Sequence, residues 1–274
     1  MTSSVARMSF NTITAKDLSL DQILKLCEEN GVSYIAPWRD LIARQGLSES
    51  AKMIRDSGIG ISSLCRGGMF TAESASDRAL AIEDNLRAID EALEIGAPVL
   101  VLVCGPQVGK DLLGSQAMVH EGISAIVDYA DECGIDIAIE PLHPMMAASR
   151  SCITTVRQAL DIAETLDHER VKIIVDAYHV WSDPHLYEST DRIKGRIAGF
   201  HISDWTIPIT NELGSRAMPG EGCIDLDSLK NWVEGAGYAG AIEVEVLSDF
   251  WWSQNPEKTF LKAVDSFSKL NWER

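Results

Sequence analysis

The sequence predicts a single (β/α)8 barrel over residues 1–274, and three observations support that fold class. Short β-branched runs alternate with longer segments of helical apolar spacing, which indicates βαβ units and a parallel sheet. The alternation continues through eight repeats, which favours a closed barrel over an open sheet. No linker rich in Pro, Gly or Ser interrupts it, so we expect one domain.

Each repeat begins with a recognisable apolar run, and several helices carry a capping residue at their start. Ser19, either Ser76 or Asp77, and Asp225 precede helical patterns. The irregular stretch 205–223 lies between the seventh and eighth runs, on the face where barrel loops build active sites, and is therefore a candidate substrate loop. The eight expected strands are MSFNTI, SYIAPW, GISSLC, PVLVLVCG, DIAIEP, KIIVDA, RIAGFHISD and AIEVEVLS.

The charge of the chain argues against two classes of partner. The formal net charge is −17, whereas binding to nucleic acid or to an anionic membrane surface draws on clustered Lys and Arg. We therefore expect neither nucleic acid nor membrane as a partner.

Cysteine usage and the amino terminus indicate a cytoplasmic protein. The six cysteines contain no C-x-x-C pair, which argues against a disulfide framework and against a zinc-thiolate site. The start, MTSSVARMSFNT, lacks the apolar stretch of a secretory signal.

Four consecutive strands each end in one residue of metal-ligand type that points into the barrel. Side chains alternate across a strand, so Glu140 points inward while Ile137 and Ile139 face the helices. Converging carboxylates would repel one another without a cation. An oxygen-rich set with one His favours Mn²⁺ or Mg²⁺, with Zn²⁺ and Co²⁺ as alternatives. The predicted ligands are Glu140, Asp176, His201 and Glu245.

Several motifs give the whole chain a family resemblance. EPLHP at 140–144, VDAYH at 175–179, FHISD at 200–204, MPGEGCID at 218–225 and EVEV at 243–246 resemble the sugar phosphate isomerase/epimerase family of xylose-isomerase-like barrels, within the AP endonuclease family 2 superfamily. The resemblance implies one metal on the four predicted ligands and proton transfer beside a carbonyl, through a metal-stabilised enediolate. It also implies that Glu140 and Glu245 are the acid/base pair, which suits carboxylates that flank the reacting carbon.

Three further residues near the predicted ligands have alternative readings. Glu243 shares a strand face with Glu245 but lies one layer deeper, so we assign Glu245 to the metal and Glu243 to a buried supporting position. His143 is a candidate catalytic base or substrate contact, or else a packing residue of its loop. His179 is a candidate substrate contact, or else orients a ligand.

Arginines and tryptophans at the strand ends are candidate substrate contacts. Guanidinium groups there could hold substrate oxygens or a carboxylate. Arg216 best matches a substrate-contacting position of the family, while Arg39 and Arg66 have ion pairs with neighbouring acids as their alternative. Indoles could stack on a sugar face or exclude water; the candidates are Trp38, Trp181, Trp205, Trp251 and Trp252, the last two with helix packing or an oligomer interface as the alternative.

The function expected from these features is metal-dependent isomerisation or epimerisation of a keto sugar or a related hydroxy-carbonyl compound. A lyase or dehydratase is the alternative, because the same enolate can expel a β-substituent; a 3-keto-glycoside deglycosidase, which would need a small partner subunit, and an inosose dehydratase are examples. An AP endonuclease is disfavoured, since GISSLCRGG and VLVLVCG contain no His for a three-metal cluster. A non-catalytic binding protein stays open. A homodimer or homotetramer is implied by the resemblance.

Overall fold

Nine parallel strands form a nearly closed barrel in the computed structural model, which describes residues 5–270, and this confirms the predicted fold class. The strands are β1 Met8–Asn11, β2 Tyr34–Ala36, β3 Gly60–Ile61, β4 Leu64–Gly68, β5 Val99–Val103, β6 Asp136–Ile139, β7 Val171–Asp176, β8 Ile197–Ile202, β9 Asp204–Trp205, β10 Arg216–Ala217 and β11 Ile242–Val244. The barrel has the strand order β3-β2-β1-β11-β8-β7-β6-β5-β4, and β9 and β10 form a separate antiparallel pair.

The third predicted strand is divided into two short strands. β3 pairs with β2, and β4 pairs with β5. Between them the hydroxyls of Ser62 and Ser63 turn to the carboxylate of Glu243 across the barrel, at 3.1 and 3.0 Å. An isolated parallel β-bridge pairs Trp38, just after β2, with Cys65 of β4 and so connects the two edges of the sheet.

The helices connect successive strands and cover the outer face of the barrel, as expected for βα repeats. They are α1 Leu20–Asn30, α2 Arg39–Gln45, α3 Leu47–Ser57, α4 Ala75–Ile95, α5 Leu112–Ser124, α6 Val127–Cys133, α7 Val156–Leu166, α8 Ala177–Val180, α9 Thr190–Ile193, α10 Leu226–Gly235, α11 Asp249–Trp252 and α12 Pro256–Lys269, with 3-10 turns at Thr12–Ala15, Pro144–Met146 and Leu186–Ser189.

The helix starts predicted from the sequence are confirmed in two places and wrong in one. Ser19 and Asp225 are the N-caps of α1 and α10. The N-cap of α4 is Ser74, not Ser76 or Asp77, because the Ser74 hydroxyl accepts a hydrogen bond from the amide of Asp77, three residues along.

The barrel encloses a small apolar cluster, while most of the core lies between the sheet and the helices. The alternation predicted for the strands is confirmed: Ile137 and Ile139 pack in the large outer cluster, and Ala138 packs inside the barrel. The inner cluster consists of Cys65, Val99, Val101, Ala138 and Ile174.

Gly68, at the end of β4, is a position where a side chain would be strongly destabilising. Its φ is +101°, and a Cβ atom would lie 2.0 Å from the carbonyl oxygen of Val103. We expect Gly68→Ala to lower the free energy of unfolding by at least about 2 kcal/mol, through backbone strain and steric clash. Denaturant unfolding measures this effect. Gly96→Ala is the matched control, since Gly96 also has positive φ (+77°) but nothing within 4 Å of the added Cβ; a loss as large in the control would show that clash at Gly68 contributes nothing.

Candidate metal centre

Four buried side chains converge at the carboxyl ends of four neighbouring strands. Each offers one ligand atom, and these atoms all lie within 4.8 Å of one another. Adjacent parallel strands end at the same edge of the barrel, which is why residues far apart in sequence meet here. The cluster could hold one divalent ion, and its members are Glu140 after β6, Asp176 at the end of β7, His201 in β8 and Glu245 after β11.

The donor atoms of this cluster fit a metal ion. The Oε1 atom of Glu140 and the Nδ1 atom of His201 are buried, and neither has a hydrogen-bond partner among residues 5–270. They lie 3.3 Å apart, and His201 Nδ1 lies 3.9 Å from an oxygen of Glu245. Buried polar atoms left in this state are costly. A cation between them would satisfy both, with an imidazole and carboxylates as ligands that Mn²⁺, Mg²⁺ and Zn²⁺ all accept.

Glu243 lies below the cluster and supports it. Its carboxylate is 3.4 Å from the Nε2 atom of His201, on the side of the ring away from Glu140. It also accepts a hydrogen bond of 2.6 Å from Asn11 Nδ2. The 3.4 Å separation from His201 is an ion-pair distance, although Nε2 has no hydrogen-bond partner among the described residues. In metal sites a carboxylate at the second ring nitrogen commonly orients the histidine. The four converging residues include Glu245 and leave Glu243 one layer deeper, as the strand alternation predicted.

Arg216 enters the cluster from the short strand β10. Its Nη1 atom donates to Asp176 at 2.9 Å and to Glu245 at 3.0 Å, and its side chain is buried. β10 pairs with β9, which follows β8, so the loop after His201 folds back over the barrel. The stretch 205–223, expected to be irregular, therefore contains a short antiparallel strand that delivers a guanidinium to two predicted metal ligands.

Burial and close charges shift the protonation of the cluster. Burial raises the pKa of Asp176 to about 6, although Arg216 opposes the shift. Burial also raises the pKa of Glu140 and of Glu245. Contacts with His201 lower the pKa of Glu140, and the charge of Arg216 lowers that of Glu245, but burial has the larger effect. Burial alone would lower the pKa of His201, but the surrounding carboxylates, with Glu243 first, raise it to about 10. The cluster therefore holds protons readily when no metal competes for it.

The two predicted substrate histidines occupy different places. His179 is buried and lines the cavity above the cluster, and burial holds its pKa well below the usual range. Its Nδ1 atom accepts from the amide of His143 at 3.2 Å. Its Nε2 atom lies 3.1 Å from Arg216 Nη2, which can only donate, and 3.6 Å from Asp176. The His143 ring instead packs against Trp205, with centroids 4.9 Å apart, and its Nε2 atom contacts Ser182. It lies outside the residues that line the cavity.

The cavity above the cluster combines apolar walls with three arginines. Trp38 and Arg66, both predicted from the sequence, line it together with Arg216. Arg150 lines it too, although the sequence analysis missed this residue. The only available signal was an arginine in the loop after the strand that ends at Glu140. Leu142, Met146, Leu213 and Leu247 supply the apolar walls.

Other candidate contacts have structural roles instead. Arg39 forms ion pairs with Asp84 and Glu91 of α4, at 2.8 and 2.6 Å, which is the alternative considered for it. The Trp252 indole donates to the carbonyl of Ile13 at 2.8 Å and so packs α11 on the barrel. Trp181 and Trp205 form an aromatic group with Tyr178 beside the cavity.

Among the helices of residues 5–270, none combines the length and apolar character needed to cross a lipid bilayer.

Known proteins are similar to this chain in sequence over about two thirds of its length or more. Inosose isomerase of Bacillus velezensis is 24% identical over 275 residues, which cover 95% of this chain and 95% of that protein. The 3-dehydroshikimate dehydratase of Pseudomonas aeruginosa is 29% identical over 191 residues, 67% of this chain but 28% of that protein.

Solved structures are similar to this chain in fold. The crystal structure of protein SMc04130 from Sinorhizobium meliloti 1021 has a TM-score of 0.92 at 42% identity, over 96% of this chain and 98% of that one. The structure of IOLI protein with a binding zinc atom has a TM-score of 0.84 at 22% identity, over 97% and 100% of the two chains. The family described as xylose isomerase-like TIM barrel matches residues 19–270. The resemblance found in the sequence is thereby confirmed, and the chain belongs to the xylose isomerase-like TIM barrel family.

Proposed function

We propose that the protein is a divalent-metal-dependent isomerase or epimerase of a keto sugar or a related hydroxy-carbonyl compound. The convergence of three carboxylates and one imidazole, two of whose members line a cavity, is the observation that carries this proposal. The inosose isomerase relative, which matches 95% of the chain at 24% identity, supports the reaction class. The residues proposed to hold the metal are Glu140, Asp176, His201 and Glu245, with Mn²⁺ as the preferred ion and Mg²⁺, Co²⁺ and Zn²⁺ as alternatives.

A divalent ion bound here would polarise the substrate carbonyl and stabilise negative charge on its oxygen. Glu140 and Glu245 carry the proton transfers in the proposed mechanism. Both line the cavity, so a substrate carbon held there lies beside both carboxyl groups. One removes a proton from the carbon next to the carbonyl to give an enediolate, and the other returns a proton. Because burial raises the pKa of both groups, each can hold a proton nearer to neutral pH than an exposed carboxyl can.

Neighbouring side chains position the reacting groups. Arg216 holds the carboxylates of Asp176 and Glu245 in fixed orientations through charged hydrogen bonds. The indole Nε1 of Trp38 is buried without a hydrogen-bond partner among the described residues, and Trp38 lines the cavity. We propose that this N–H donates a hydrogen bond to a substrate oxygen. His143 keeps a role in catalysis only if its ring leaves Trp205 when substrate binds.

A lyase or dehydratase is the second candidate, and the match to 3-dehydroshikimate dehydratase over 67% of this chain favours it. The first proton abstraction would be the same. The reactions diverge afterwards, because a lyase expels a substituent from the β-carbon whereas an isomerase returns the proton.

Deuterium incorporation distinguishes these candidates. The Mn²⁺-loaded protein is incubated in D₂O with ketoses, inososes, 3-keto glycosides and 3-dehydroshikimate, and the small molecules are analysed by NMR after protein and metal have been removed. We expect deuterium beside the carbonyl with the carbon skeleton retained. Loss of water or of an aglycone would identify a lyase. Absence of exchange on every compound would contradict the proposed proton transfer.

A further inference from the structure

Two arginines line the cavity above the metal centre without a carboxylate partner. Arg66 and Arg150 share the cavity wall with Glu140 and Glu245. Neither guanidinium forms an ion pair within residues 5–270, although the chain has 41 acidic and only 24 basic residues. Arg216, in the same cavity, is by contrast held by two carboxylates. The pair Arg66 and Arg150 is therefore positive charge without an ion-pair partner among the described residues, and Glu212 acts on Arg150 only through its charge.

The two guanidinium groups are close enough to repel each other. Burial lowers the pKa of Arg150, and the positive charges of Arg66 and Arg216 lower it further, while Glu212 opposes them. Holding like charges together in a half-buried wall destabilises the protein. An anion bound between Arg66 and Arg150 would remove that repulsion, whereas a neutral ligand would not.

Charge accounting for the cavity lining points the same way. Three arginines and two glutamates line the cavity, with His179 neutral, so the lining is one charge positive. A divalent ion would be balanced by the two carboxylates outside the lining, Asp176 and Glu243. A substrate with a single negative charge therefore brings the lining to neutrality. Glu212, whose charge acts on Arg150, is not one of the lining residues.

The charge of the cavity suits a carboxylate better than a phosphate. A guanidinium presents its N–H groups in a flat fork that can hold two oxygens of either group. The apolar side chains of Leu142, Met146 and Leu213 line the same cavity and limit access of water, which strengthens such a contact. A phosphate would carry close to two charges at neutral pH and so leave the site negative.

We propose that Arg66 and Arg150 bind a carboxylate of the substrate, which makes the substrate class a polyhydroxylated keto acid and not a neutral keto sugar. This assignment rests on the proposed function, because it takes the metal centre as the place where the carbonyl of the same molecule binds. Arg66 and Arg150 are thus specificity-determining residues, and the proton chemistry stays with Glu140 and Glu245.

Three ketoses that differ only at their sixth carbon test the assignment. D-Fructose has a hydroxymethyl group there, D-fructuronate a carboxylate, and D-fructose 6-phosphate a phosphate. Calorimetric titration of the Mn²⁺-loaded protein should give D-fructuronate an affinity at least about tenfold above that of D-fructose. Arg66→Gln and Arg150→Gln should each weaken D-fructuronate binding roughly 10- to 100-fold, as expected for loss of a hydrogen bond to a charged group, and weaken D-fructose binding by a smaller factor. Arg157→Gln, an exposed arginine on α7, is the control variant and should change neither affinity.

Three results would each overturn the carboxylate assignment. They are equal affinity for D-fructose and D-fructuronate, no detectable binding of D-fructuronate, and tightest binding of D-fructose 6-phosphate. Retained preference for D-fructuronate in both glutamine variants would overturn the assignment to Arg66 and Arg150. Failure of the proposed function has a different signature. In that case the arginine variants would weaken D-fructuronate selectively while no deuterium entered any ketose.

Discussion

Replacing Glu140 or Glu245 by glutamine is expected to slow deuterium exchange beside the substrate carbonyl by roughly 10²- to 10⁴-fold, the usual contribution of a positioned acid or base. Glutamine keeps the size of the side chain but cannot accept and return a proton. Both carboxylates are buried in the cavity wall, where water cannot easily replace them. Exchange rates measured by NMR at saturating Mn²⁺ give the effect.

Metal loss must be separated from loss of the acid/base group, because both glutamates are also proposed ligands. Asp176→Asn is the matched variant, since Asp176 belongs to the same cluster but has no proposed proton-transfer role. Excess Mn²⁺ should restore much of the exchange in Asp176→Asn and little in Glu140→Gln or Glu245→Gln. Glu83→Gln, at an exposed position on α4, controls for general effects. Full exchange rates in folded, metal-loaded Glu140→Gln and Glu245→Gln would refute the acid/base assignment.

Metal affinity is expected to rise about 100-fold between pH 6 and pH 8. The proposed ligands bind metal in their deprotonated forms, so protons and metal compete. In the metal-free cluster the pKa of His201 is raised to about 10, so His201 carries a proton throughout this range and metal binding must release it. Release of one proton increases affinity tenfold per pH unit. Below about pH 6 the dependence should steepen, because Asp176, with its pKa raised to about 6, is then protonated as well.

Calorimetric titration with Mn²⁺ in buffers of different ionisation enthalpy measures both the affinity and the number of protons released. Glu243→Gln supplies the control, because Glu243 is the foremost of the carboxylates that raise the pKa of His201. That variant should release fewer protons and show a shallower dependence on pH. An affinity that is the same at pH 6 and pH 8, with no proton release, would show that His201 is neutral in the metal-free protein or is not a ligand.

Local pattern was sufficient to predict the barrel and the convergence of the four ligand-type residues. Alternation along a strand decides which side chains point inward, and the carboxyl ends of parallel strands share one edge, so Glu140, Asp176 and Glu245 could be placed together with His201. The same argument placed Glu243 one layer deeper, where it contacts His201 and Asn11. Neither step required knowledge of the loops.

The contacts of side chains outside the regular strand pattern could not be predicted from the sequence. Arg39 and Arg66 were both expected at strand ends, yet Arg39 begins α2 and pairs with acids of α4, whereas Arg66 lies within β4 and lines the cavity. Likewise, His143 and His179 each lie three residues after a proposed ligand, but the ring of His143 packs on Trp205 outside the cavity lining. The partners of such side chains lie on elements that are distant in sequence, and sequence spacing does not show which of these partners is within reach.

The sequence by itself determined the fold class and the four residues that converge at the strand ends, because strand alternation and βα order are local properties repeated along the chain. Only the tertiary structure decided how the cavity is closed and charged. The pairing of β9 with β10 brings Arg216 onto Asp176 and Glu245, and the loop after β6 carries Arg150 into the same wall as Arg66. These contacts join segments far apart in sequence, so their energies depend on packing that no single segment contains.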